Sequence, residues 1–161
     1  MYVDFSLLPD TSRVWVYQAD RSFTTDEVKE IKQQLIPFIQ NWKRHGEDLK
    51  ASFQIKYDQF IILAVDENFT NVSGCSIDAS VHIIQELQEK FGIDLLNKMN
   101  VTFKDGNNVN TVSLAAFKEY AKLDKITSNT LVFNNMVTSK TDLKSSWEVK
   151  ASESWHAKFL K

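Results

Sequence analysis

The 161-residue chain is long enough to bury roughly two thirds of its unfolded surface, so it needs neither disulfides nor a structural metal to fold. Hydrophobic residues at 43% and charged residues at 25% exclude a disordered chain, and a net charge of −2 removes any broad electrostatic drive toward nucleic acid. A single cysteine, Cys75, excludes an intrachain disulfide, and the longest apolar run, Phe60 to Val65, is too short to span a bilayer.

In chain order, Met1 to Asp10 lacks the basic start and long apolar run of a signal peptide, so a cytoplasmic protein without membrane partners is expected. Ser12 to Gln18 predicts a strand that is apolar on both faces. Thr24 and Glu27 have capping-box spacing, and Val28, Ile31, Leu35, Phe38, Ile39 and Trp42 then share one helical face. Gly46 reads as the stop of this helix and Pro37 as a kink or break within it. Ala51 to Tyr57 alternates as a strand with one buried face. Asp58-Gln59 makes a tight turn into the wholly apolar strand Phe60 to Val65.

Ile77, Val81, Ile84, Leu87 and Phe91 line a second helix that Gly92 ends. A short helical turn is expected near Leu95, followed by a strand in which Val101 and Phe103 alternate with Thr102 and Lys104. Asp105 to Asn108 is a turn that a hairpin can use, Ser113 caps a helix carrying Leu114, Phe117, Tyr120 and Leu123, and Thr130 to Asn134 is a further strand. Trp147, Trp155 and Phe159 make the tail apolar enough to dock.

The order β-α-β-β-α-β predicts an α+β fold with a ferredoxin-like split βαβ core over residues 12–104, extended by an α/β segment over residues 105–161, all in one domain. The apolar outer faces of the first and third strands need a cover, either the C-terminal third or a second copy of the chain in a homodimer.

That topology directs several functional groups to one edge of the sheet. They are His45 at the end of the first helix, Asp66 and Glu67 after the third strand, and Cys75, Ser76 and Asp78 at the start of the second helix. Arg13 and Lys104 come from the first and fourth strands. Ser73-Gly74-Cys75-Ser76-Ile77-Asp78 is a small polar loop opening a helix, where free N–H groups and the helix dipole favour an anion. Cys75 as nucleophile, His45 as base and Asp66 or Asp78 as orienter form the enzymatic alternative, a thiol enzyme or sensor. Asp66, Glu67 and Asp78 are weak candidates for a divalent cation. His82 is expected to face solvent, and His156 lies in the tail.

The stretches HGEDLKASFQIKYDQFIILAVDE, SGCSIDAS and SWHAKF resemble a family of small proteins from Bacteroidetes, often labelled "ABC transporter ATPase". The resemblance extends over nearly the whole chain and implies a bacterial cytoplasmic origin, with no established activity to transfer. The label lacks its motifs. There is no Gly-x-x-x-x-Gly-Lys-Ser/Thr phosphate loop and no Leu-Ser-Gly-Gly signature, and no other nucleotide, zinc or hydrolase motif occurs. The sequence therefore points to a non-enzymatic binding or interaction module without a cofactor, taking a small anion through Ser73, Gly74, Cys75, Ser76, Asp78 and Arg13. The alternatives are the thiol enzyme and a structural subunit.

Overall fold

Apolar patterning decides the first sheet. In the computed structural model, which describes residues Met1–Lys161, β1 (Arg13–Gln18) and β4 (Ala51–Lys56) flank β5 (Phe60–Val65), both antiparallel to it. All six residues of β5 are buried, as its uninterrupted FIILAV sequence requires of a central strand. The β4–β5 hairpin turns through Tyr57 and Asp58, both at positive φ (54° and 49°), with Gln59 N–H bonded to the Lys56 carbonyl at 3.0 Å. The turn thus sits one residue earlier than the sequence predicts.

The chain divides into two compact units. Unit 1 comprises Met1–Leu96 with Thr138–Thr141, and unit 2 comprises Asn97–Val137 with Asp142–Lys161. The fold is α+β, and no helix is long and apolar enough to cross a membrane.

In unit 1, α1 (Thr25–Gln40) begins with the predicted capping box. Thr24 Oγ1 accepts from Glu27 N–H at 3.1 Å, and Glu27 Oε1 accepts from Thr24 N–H at 2.9 Å. Arg21 grips the same carboxylate through two bonds of 2.8 and 2.9 Å, and these hold the Glu27 carboxyl down to about 2. Pro37 does not divide the helix, which runs through it to Gln40.

The helix does not reach Gly46. Instead β2 (Lys43–Arg44) and β3 (Glu47–Asp48) form a small hairpin whose two turn residues, His45 and Gly46, lie at φ 49° and 83°. Two successive positive-φ residues make a type I′ hairpin turn, which reverses the chain in the sense that strand twist favours. Trp42 packs at its base, buried against Phe38 and Trp15.

Helix α2 (Gly74–Phe91) is capped by Ser73 and closed by Gly92 at φ 62°. Its most buried line is Ser76, Ser80, Ile84 and Leu87, one residue off the predicted Ile77–Val81 face in its first half. No helical turn forms near Leu95. The Leu95 and Leu96 N–H groups bond to the Gln88 side chain at 2.9 and 3.2 Å. Ile31, Leu35, Ile39, Phe53, Ile61, Leu63, Ile84 and Leu87 form the core between sheet and helices.

The fourth strand expected of the ferredoxin-like sheet is absent from that sheet. The order is β1-β5-β4, three of the four strands in split βαβ arrangement, and the outer edge of β1 is taken by residues 138–140. Val14 N–H bonds to the Thr138 carbonyl at 3.0 Å and Lys140 N–H to the Ser12 carbonyl at 2.8 Å.

The predicted fourth strand is β6 (Asn100–Asp105) of unit 2. It pairs with β7 (Asn108–Ser113) in a sheet ordered β7-β6-β8-β9, where β8 is Leu131–Phe133 and β9 is Glu148–Lys150. The two-residue turn Gly106-Asn107, with Gly106 at φ 63°, joins β6 to β7. The two-residue turn lets β6 pair with the next stretch of chain at little loop-closure cost, while the edge of β1 is filled by residues 138–140. Helix α3 (Leu114–Lys122) follows, its cap Ser113 Oγ accepting from Ala116 N–H at 3.1 Å. A short α4 (Lys140–Ser146) precedes β9. Phe117, Val101, Ile126, Val132 and Ala151 form the core of unit 2, with Trp155 and Phe159 of the tail packed against it.

Candidate functional site

Unit 1 brings together part of the predicted edge. Arg13 lies opposite Val65 in the β1–β5 register, and Ala51 lies opposite Val65 across the β4–β5 pair. The Arg13 guanidinium rests 4.8 Å from the centre of the Trp15 ring, and Trp15 packs on Trp42. The Trp42 indole N–H donates to the Ser76 carbonyl at 2.9 Å, and Ser76 Oγ donates to the Lys43 carbonyl at 2.9 Å. Ser73 Oγ in turn accepts from Ser76 N–H at 3.2 Å. The serines of the SGCSID loop therefore tie the start of α2 to the segment entering the β2–β3 hairpin.

The remaining members are dispersed in role. Gly74, Cys75 and Asp78 are exposed on the first turns of α2, and His45 is exposed at the hairpin tip. Asp66 is buried, and its Oδ1 accepts from Asn68 N–H at 3.0 Å in a local turn, while Glu67 faces Val72 N–H at 3.5 Å. No group of three or more His, Cys, Asp or Glu side chains is placed to hold a metal ion, so Asp66, Glu67 and Asp78 do not converge as a ligand set. Lys104 belongs to unit 2, where it pairs with Glu148 at 2.7 Å. His82 is exposed beside Glu86.

Cys75 is exposed and makes no hydrogen bond to His45. Iodoacetamide should alkylate Cys75 in the folded protein at a rate that His45→Ala changes by less than about twofold. A rate that collapses in the variant would instead establish the Cys75–His45 dyad.

Unit 2 contains a cleft of about 750 Å³ that sequence reading did not anticipate. One wall is the β6–β7 hairpin, and the other is the segment from the end of α3 to β8. Phe103 and Asn110 are cross-strand partners on one face of the hairpin. The Phe103 ring meets Tyr120 of α3 edge-on, with centroids 6.4 Å apart at 77°.

The end of α3 places Lys125, which lines the cleft together with Lys104. Asp124 takes up positive φ (58°), Lys125 N–H bonds to the Tyr120 carbonyl at 2.9 Å, and Asp124 N–H bonds to the Ala121 carbonyl at 3.2 Å. These are the two bonds of a Schellman motif, which sets the second residue past the cap over the last turn. Here that residue is Lys125, and its ammonium sits 5.5 Å from the Tyr120 ring centre. A tight turn follows. Thr127 N–H bonds to Thr130 Oγ1 at 2.9 Å and Thr130 N–H to the Thr127 carbonyl at 3.1 Å, holding Asn129 at the rim.

Unit 2 also buries His156 completely, against expectation for an undefined tail residue. Its ring stacks on Trp155 at 3.7 Å and lies 5.4 Å from Phe117. Ser154 Oγ accepts from His156 N–H and lies 2.5 Å from Nδ1, while Nε2 has no partner. Burial among these rings pushes the imidazole down from 6.5 to about 4, so it is neutral at pH 7.

The chain matches no protein-family model, no curated protein and no solved structure.

Proposed function

We propose that this chain is a binding module and that the cleft of unit 2 takes a small anionic ligand. The carrying observation is how charge divides between the units. Unit 2 has nine lysines against six carboxylates, a net charge of +3, whereas unit 1 has ten basic residues against fifteen acidic ones, a net charge of −5. The overall charge of −2 conceals this contrast. A net positive unit attracts anions, and Lys125 stands in the cleft lining with an exposed ammonium that forms no ion pair.

The start of α2 offers less. Ser73 already caps Ser76 N–H, and the Ser76 hydroxyl is engaged by the Lys43 carbonyl. No cationic side chain lies in the segment from Ser73 to Asp78. The cleft combines a cation, side-chain amides and aromatic surface in one concavity, the usual make-up of a small-molecule site.

Titration with inorganic pyrophosphate at low ionic strength tests the reading. The melting temperature of the wild type should rise with pyrophosphate concentration, through preferential binding to the folded state. Lys125→Gln should lose most of the response, and added salt should weaken it in the wild type. A wild type that does not respond, or a variant that responds equally, would refute the assignment.

A further inference from the structure

We infer that the ligand of this cleft is a mononucleotide-like molecule, a flat heteroaromatic ring joined through a hydroxylated linker to an anionic group. The inference rests on the anion reading above and extends it to the rest of the ligand.

A bare inorganic anion engages little of the site. The cleft's volume of about 750 Å³ exceeds what a small inorganic ion fills, and two of its lining residues, Phe103 and Tyr120, are aromatic. Phe103 and Tyr120 are half-buried in the lining, and Tyr120 lies beside the Lys125 ammonium. A planar ligand stacked on such a surface gains roughly 1–3 kcal/mol, which a phosphate or carboxylate alone forgoes.

The polar lining fits the other parts. Asn110 and Asn129 line the cleft, and no hydrogen bond within the protein engages either side-chain amide. Each amide offers a donor and an acceptor, the complement of a heteroaromatic ring edge. Asp105 also lines the cleft, on the rim at the β6–β7 turn. Its carboxylate repels a bare anion, but it is a strong acceptor for hydroxyl groups. Lys125 provides the counter-charge for the anionic end. Ring surface, amides, carboxylate and ammonium together define a ligand with ring, hydroxyl and anionic parts.

Isothermal titration with the four ribonucleoside 5′-monophosphates, adenosine and inorganic pyrophosphate separates the two levels of the reading. At least one monophosphate should bind about tenfold or more tighter than both adenosine and pyrophosphate. Tyr120→Leu should cost that nucleotide about tenfold more than it costs pyrophosphate, which loses only the ring's contact with Lys125. Asn129→Ala, an exposed-loop change that leaves the core intact, should weaken the nucleotide alone. Lys125→Gln should weaken both anions and spare adenosine.

If pyrophosphate binds as tightly as every nucleotide and neither Tyr120→Leu nor Asn129→Ala matters, the inference is overturned and the anion reading stands. If adenosine matches its monophosphate, the anion reading fails. If no probe binds, both fail.

Discussion

Phe117→Ala should destabilise unit 2 by about 3–5 kcal/mol, the largest single-residue effect expected in that unit. Phe117 is fully buried on α3 at the centre of an aromatic cluster. Its ring lies 5.4 Å from His156, 6.4 Å from Phe103 and 6.5 Å from Phe159. Truncation to alanine removes the transfer energy of the ring and leaves a cavity. Sheet, helix and tail all border it, so no single element can move in to fill it. Phe117→Leu should cost far less, since most of the volume is kept. Urea unfolding monitored in the far ultraviolet gives both values. A loss below about 1.5 kcal/mol for the alanine variant would mean that the cluster collapses readily and is less rigid than described. The substitution should also weaken ligand binding, because Phe103, a wall of the cleft, rests on Phe117.

Acidification should destabilise unit 2 through His156 by about 2–3 kcal/mol. The unfolded chain takes up a proton near pH 6.5, whereas the folded protein resists protonation of this ring down to about 4. Between those values the unfolded state binds more protons, so stability rises with pH across the window. The contribution is complete above pH 6.5 and is lost progressively as the pH falls toward 4. Ser154 Oγ and the stack on Trp155 hold the neutral ring, and no carboxylate contacts it to favour the cation. His156→Phe keeps an aromatic ring and removes the titration. Urea midpoints measured from pH 7.5 to 4.5 should fall more steeply in the wild type than in this variant. The difference isolates His156 from the carboxylates common to both. Parallel pH profiles would show that the imidazole is protonated without penalty.

Much of the first sheet was legible because its signals are local. FIILAV admits only a strand covered on both faces, and Thr24 with Glu27 fixes the start of α1 within one residue. The β2–β3 hairpin was hidden by an ambiguity at Gly46. Glycine at positive φ ends helices and also builds type I′ turns, and Trp42 prolongs the helical periodicity to the point where the two readings diverge. β7 was missed because Asn108-Val-Asn-Thr-Val-Ser113 is polar and half-exposed, as an edge strand permits. Counting strands could not show that β6 pairs with its immediate successor rather than with β1. The turn at Gly106 makes that pairing local, and Asp105 to Asn108 suits a hairpin turn in sequence without identifying the polar partner strand.

The cleft was less legible than the fold. Phe103, Tyr120, Lys125 and Asn129 lie on different elements, and none belongs to a motif. One signal was available in the sequence. The excess of lysine after residue 97 is plain once the chain is divided, and averaging over the full length cancels it. The SGCSID loop drew attention because its composition suits an anion, yet its serines are spent on joining α2 to the β2–β3 hairpin.

The most direct measurement is amide chemical-shift mapping of the ¹⁵N-labelled protein titrated with inorganic pyrophosphate. Saturable shifts confined to Lys104–Gly106, Asn110 and Lys125–Leu131, with Gly74–Ile77 unmoved, are the result this structure predicts. Shifts centred on Gly74–Ile77 at the start of α2, or none that saturate, would contradict it.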